Sequence, residues 1–431
     1  MKMKTLLYSA FFLTLSALFA AAQQQTAASA APAKSDAPEA FVFATRQNEN
    51  LDFVACVPPN RLTVSSAYKI YRNEYITVFA FLAKIADAEC KYDFVYSLYM
   101  IAPDGSRSDV IKNKRVAGKL AQKNELLFLT DSLYLMFEKS DALGEYKFEI
   151  DVKTPDGRAV CEKTHKIILA DADFEAEKFE TPKDFFAALQ KYSEDAAPEK
   201  LYSLYKSEHA NIVSKRNGVG KTMLVFFREA FRSKPFLLDR LAAEFDTASE
   251  CERQNGILLF ASLGELKKLD GKSLSDSEKS LKNVSFGALA AMNSPYEKPF
   301  SAGSFDMLWG EFYAKGNYAP IEKIMSFFAY EKSAQTFLDA LKSGTHKQLD
   351  KKTTLEAAEF FSATYSVLRN IKTRLAAAYI DFYIIKHPSE FPAGKVKRNF
   401  DLCVEYLKFK TESARKAAAG KAAAAKAKAE K

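Results

Sequence analysis

The stretch 214-SKRNGVGKTMLVFF-227 carries GVGKT, the closing residues of a nucleotide-binding P-loop. A full phosphate loop needs a further glycine five residues before the GK, because its backbone must curl around the phosphates at positive φ. That position is Lys215. The residues before it, 201-LYSLYKSEHANIVSKR-216, have the spacing of a polar-interrupted helix, whereas the loop must follow a buried strand. The spacing therefore predicts a turn, with Gly218 and Gly220 breaking the chain before a helix over 221–232.

Other chemistry is equally incomplete. A serine nucleophile activated by a lysine needs Ser-x-x-Lys, a Ser/Tyr-x-Asn element and a Lys-Thr/Ser-Gly strand. Ser66…Lys69 and Ser203…Lys206 match the first and 342-KSG-344 the last, but no Ser-x-Asn lies between them, and KSG has the look of a helix end. Gly-x-Ser-x-Gly is absent. His165, His209, His346 and His387 are far apart, with neither HExxH nor HxH. Asp171, Asp173, Glu175 and Glu177 alternate, but without the glycine that bends a calcium loop they read as a solvated linker. The single tryptophan, Trp309, lies on an apolar stripe and reads as core. No catalytic, cofactor-binding or metal-ligating set emerges.

The elements that would carry such groups begin after a leader. Lys2 and Lys4 precede the apolar run 5-TLLYSAFFLTLSALFAAA-22, which ends in small residues. This pattern predicts a signal peptide over 1–22, cut after Ala22, and so a periplasmic or secreted protein. Residues 23–39, rich in Ala, Gln and Pro, predict a flexible linker. In an oxidising compartment Cys56, Cys90, Cys161, Cys251 and Cys403 have two readings: one pair among the first three, or five thiols. The formal charge is +8. Much of it sits in the Ala/Lys-rich tail 411–431, with six Lys/Arg against two Glu. The rest is nearly neutral, which argues against nucleic acid as a partner. The tail reads either as a solvated, partly helical extension or as a weak contact with an anionic surface.

Periodicity divides the remainder. In 145-EYKFEIDVK-153, Tyr146, Phe148, Ile150 and Val152 alternate with charged residues, the signature of a half-buried strand. The turn 154-TPDGR-158 returns the chain into 159–169. Further strands are expected in 51–57, 74–85, 92–101 and 126–137, giving an antiparallel β-sandwich over 40–172. After the acidic segment, apolar residues recur at helical spacing. Phe305, Leu308, Trp309 and Phe312 form one stripe; Gly316 and Asn317 end that helix, Pro320 opens the next, and Ile321, Ile324, Met325 and Phe328 form its stripe. Leu224, Phe227 and Phe231, then Leu238, Leu241 and Phe245, repeat the layout around Pro235, and a third helical region covers 353–386. The expectation is an α+β multidomain chain, with an all-helical bundle or short solenoid-like domain over 178–410.

The segment 141-DALGEY-146 before its strand resembles the Asp…Gly-x-Tyr corner of immunoglobulin-like domains. With 103-PDGS and 305-FDMLWGEFYAKGNYAPIEKI, the chain resembles a family of uncharacterised exported bacterial proteins. In that family an N-terminal immunoglobulin-like β-sandwich precedes a C-terminal helical domain carrying D-x-LW-x-x-F-x-A-x-G-x-x-x-P. Lys315 stands where the family often has Thr. The resemblance implies architecture and brings no activity with it. The expected role is a non-enzymatic envelope protein that binds or positions another protein or a cell-envelope polymer. The alternative is an envelope hydrolase or transferase whose site is assembled from scattered residues.

Overall fold

The strands appear where apolar residues alternate or run continuously. The computed structural model describes residues 37–46, 65–120, 126–129, 133–212, 219–290, 296, 302–371 and 373–429. The expected leader, the strand expected at 51–57, Cys56 and residues 214–218 lie outside the described residues. Among them, nine strands precede the helices: β1 (Glu39–Thr45), β2 (Lys69–Tyr71), β3 (Tyr75–Ala83), β4 (Lys91–Ile101), β5 (Arg107–Lys119), β6 (Leu127–Phe128), β7 (Leu133–Met136), β8 (Gly144–Lys153) and β9 (Ala159–Ala170). One sheet runs β1-β3-β6, with β7 also pairing β3. The other runs β2-β9-β8-β4-β5. Pairing is antiparallel throughout except for β2 with β9, where Lys69 lies opposite Ile168 in a parallel register. The strand expected over 126–137 is two pieces, β6 and β7, pairing with different parts of β3.

The two sheets share one core. Val42, Val78 and Leu82 from the first meet Phe94, Phe148 and Ile150 from the second. Tyr146, Phe148, Ile150 and Val152 are buried, as their alternation requires.

Twelve α-helices follow among the described residues: α1 (Pro182–Lys191), α2 (Pro198–Lys206), α3 (Val219–Arg232), α4 (Pro235–Glu244), α5 (Glu250–Leu263), α6 (Asp276–Ala290), α7 (Ala302–Lys315), α8 (Ala319–Ser326), α9 (Glu331–Ser343), α10 (Lys351–Asn370), α11 (Arg374–Lys386) and α12 (Lys395–Ala429). Local chemistry sets their ends. Thr181 caps α1, accepting from the Asp184 N–H at 3.2 Å, with Pro182 in the first turn. Ser249 and Glu252 form a capping box on α5, and Gly264 closes that helix at φ +75°. The KSG segment is a helix end: Gly344 caps α9 at φ +77°. The stripes Phe305/Leu308/Trp309/Phe312 and Ile321/Ile324/Met325/Phe328 are buried. The helical region expected over 353–386 is two helices, α10 and α11. α12 is packed at its start, where Leu402 and Cys403 join Leu338 and Phe361. Residues 411–422 further along it are exposed. No described helix is long and apolar enough to cross a membrane.

Residues Glu39–Lys431 form one compact unit. Its acidic connection, 171–180, is solvated on its carboxylate side only. Arg240 donates to the Ala172 and Phe174 carbonyls, both at 2.9 Å. The Phe174 ring sits between Tyr71 of β2, at 5.1 Å, and Tyr202 of α2, at 5.6 Å. Ser203 Oγ accepts the Glu177 N–H at 2.9 Å.

Candidate functional site

A cavity of about 410 Å³ opens where the edges of the two sheets meet. Phe41, Val42 and Phe43 of β1 form one wall and Lys163 to Lys166 of β9 the other, with Ser66 and Tyr68 between them. The chain reaches this place by crossing from one sheet to the other. The Ala67 N–H bonds the Ala44 carbonyl at 2.6 Å, and the next residue, Tyr68, accepts from the Ile168 N–H at 2.8 Å. Tyr68 is 67% exposed, and its ring leans on His165 at 5.2 Å. Lys166 shares Glu145 at 3.1 Å. Lys163 is exposed and has no carboxylate partner among the described residues.

Here the fold brings Ser66 to His165, a serine and a histidine separated by 99 positions in sequence. Ser66 Oγ lies 3.3 Å from His165 Nε2. The same nitrogen lies 3.2 Å from the Ala67 carbonyl. A carbonyl only accepts, so that contact puts the proton on Nε2. The Ser66 hydroxyl then turns its own proton to the Ala44 carbonyl, at 3.5 Å. Burial lowers the His165 pKa, and the bond to Ala67 only partly counters it. The imidazole is thus held neutral with Nε2 as donor, the reverse of what a general base facing a serine requires.

The other serine–lysine pair is committed to structure. Ser203 is buried, donates to the Glu199 carbonyl at 2.7 Å and accepts from Glu177. Lys206 sits on Glu244 and Glu252 at 2.9 and 3.2 Å. The GKT residues open α3. Helix begins at Val219 and includes Gly220, so Gly220 does not break the chain as expected; its amide is part of the first turn. Thr222 packs its carbonyl against Gly310 of α7. Lys315 ties α7 to α3, reaching Glu229 at 3.1 Å and Glu311 at 3.5 Å.

The remaining singled-out residues are dispersed. His209 Nε2 donates to the Phe179 carbonyl at 3.2 Å. His387 stacks on Tyr383 at 4.3 Å. Trp309 is buried in α7. Asp171 pairs with Arg72 at 3.0 Å. Cys90, Cys161 and Cys403 carry free thiols; burial pushes Cys161 up to about 11 and Cys403 up to about 12, which keeps both protonated and unreactive.

A second polar cluster joins the sheets to the helices, and nothing in the sequence singles it out. Glu74, in the turn before β3, is fully buried. Its carboxylate takes Arg46 Nε at 2.6 Å and the Tyr71 N–H at 3.0 Å. Lys234, at the start of α4 and 3% exposed, lies 3.7 Å from it. Burial lowers the Lys234 pKa, an effect Glu74 opposes and Arg46 reinforces. The arrangement is a buried ionic anchor: the Arg46, Glu74 and Lys234 side chains are 6%, 0% and 3% exposed. No family profile matches the chain, and no curated protein is similar enough to count as a relative.

Proposed function

We propose that this is an exported, non-enzymatic envelope protein that binds and positions another protein, and that the edge cavity is its recognition site. The observation that carries the reading is the state of the Ser66–His165 contact. Its polar atoms are spent on backbone carbonyls, while the cation beside them, Lys163, is free to meet a ligand. Aromatic and apolar side chains beside a few polar groups describe a binding surface. The clamp of Arg240 on residues 172–174 supports positioning, because a partner held on the sheets is carried rigidly with the helices. Export rests on Lys2, Lys4 and the apolar run that follows, with a mature chain expected to start at Gln23.

The immunoglobulin-like assignment, and with it the likeness to exported sandwich-plus-helix proteins, is supported by the corner at Tyr146. Its hydroxyl donates to the Ala142 carbonyl at 3.0 Å, four residues upstream. The ring packs edge-on to Phe137 at 4.7 Å. Tyr146→Phe keeps that packing and deletes the bond. Urea unfolding should give a loss of about 1 kcal/mol. No loss would remove the corner as support.

The functional reading is tested with fluorophosphonate and penicillin probes on the purified mature protein. No labelling is expected of the wild type, Ser66→Ala or Ser203→Ala. Labelling of the wild type that disappears in either variant would establish a hydrolase or transferase instead.

A further inference from the structure

The cavity has a backbone edge as well as side chains. In an antiparallel ladder, alternate residues turn both backbone groups to the same neighbour. The Ile168 N–H points away from β8, to Tyr68. Lys166 and Thr164 therefore also turn their backbone groups away from β8. β2 covers this edge only opposite Ile168–Ala170. At Ala67 the chain crosses to Ala44, so the edge at Thr164 and Lys166 has no strand beside it among the described residues. The same stretch borders the cavity.

Strand alternation places Lys163 with His165 on the face of β9 turned toward β1, since His165 and Ile167 are buried there. The Val42 side chain stands across the opening, while Phe41 and Phe43, at the cavity rim, turn their rings to the opposite face of β1, where Phe43 stacks on Phe79. A strand laid along Thr164 and Lys166 would send alternate side chains toward these groups. One position meets an apolar wall, and another meets a cation with no carboxylate of its own.

We infer that the cavity accepts an extended acidic–apolar segment of a partner protein as an added strand on β9, held by the Thr164 and Lys166 backbone and by a carboxylate on Lys163. Backbone pairing supplies affinity in this mode, and the side-chain positions supply selection. The inference rests on the binding-protein reading and specifies its ligand.

The probe is a blocked hexapeptide of alternating valine and glutamate. Its controls are the same peptide N-methylated at alternate amides and a valine–lysine counterpart. Saturable binding is expected for the first alone, with slowed amide exchange at Thr164 and Lys166. Lys163→Glu should weaken it by about tenfold or more. Thr164→Pro removes one outward N–H and should abolish it; Lys163→Glu, an exposed change, keeps the test valid if the proline variant does not fold. Equal binding by the N-methylated peptide, or no added protection at Thr164 and Lys166, overturns the strand-addition inference. In parallel, a photo-cross-linker is placed at Tyr68 and at exposed Tyr365 in intact cells. A partner captured at Tyr365 with an unprotected β9 edge leaves the binding-protein reading standing without this ligand; serine-probe labelling would remove both.

Discussion

Gly310→Ala should destabilise the protein by about 3 kcal/mol or more. A methyl group at Gly310 would stand 2.5 Å from the Thr222 carbonyl oxygen and 3.3 Å from the Phe226 nitrogen. Both are backbone atoms of α3, so no rotamer change relieves the overlap. The helices must separate, and the contact between them is lined on both sides by buried aromatics: Phe226 and Phe227 on α3, Trp309 and Phe312 on α7. Separation by a few tenths of an ångström forfeits much of the dispersion energy of those rings. It also stretches the bridge from Lys315 to Glu229, a buried carboxylate held below its usual range despite burial by Lys315, Arg228 and Arg232. Gly256→Ala on α5 is the comparison. There the new methyl meets the Tyr205 hydroxyl at 3.1 Å, a milder overlap than 2.5 Å and against a side chain rather than backbone. Urea midpoints should rank wild type, then Gly256→Ala, then Gly310→Ala. A Gly310→Ala protein within about 1 kcal/mol of wild type would show that this contact is not close.

Gly310 also shows why the GVGKT stretch misleads. Its small residues look like a phosphate loop in one dimension, and the lost first glycine at Lys215 is what argues against it. The use of Thr222, as a surface on which another helix rests, depends on a residue 88 positions away and is invisible in the local string. The same division holds across the molecule. Elements whose own side chains alternate or stripe were legible: β8, whose four inward residues are buried, and the paired helices around Gly316 and Pro235. β5 was not. Its sequence, RSDVIKNKRVAGK, has no regular alternation because it is an edge strand, and only Val110, Ile111 and Val116 pack on the core. β2 is three residues long and owes its conformation to β9. The cavity was illegible for a related reason. It is made where two edges end, by Ser66, His165 and Val42, each of them ordinary in its own segment. Only the alternation in β9, which turns His165 inward as the single buried charge-capable group of that strand, hinted at it.

Removing the Glu74 carboxylate should cost about 3–5 kcal/mol, because it takes the nearest counter-charge from two buried cations and leaves them only the weaker attraction of Asp195 and Glu199. Arg46 and Lys234 have side-chain exposures of 6% and 3%, so neither can recover hydration without opening the junction. The carboxylate also holds the Tyr71 N–H, closing the turn that presents the Tyr71 ring to Phe174. Loss of Glu74 therefore acts on both sides of the connection. Burial of a charged pair is not in itself stabilising, since desolvation offsets the attraction. The prediction concerns imbalance: Glu74→Ala should be severe, whereas Glu74→Ala combined with Arg46→Met and Lys234→Met should regain much of the loss. The readout separates this from a packing defect. Wild type, as one compact unit, is expected to unfold in a single transition seen alike by far-UV circular dichroism and by Trp309 fluorescence, and to resist cleavage at 171–180. Glu74→Ala should split the transition and expose that segment to protease, because the sheets are then released from the helices that report through Trp309. A Glu74→Ala protein that still unfolds in one step, with a loss below about 1 kcal/mol, would mean that Arg240 and Phe174 hold the two parts together without the ionic anchor.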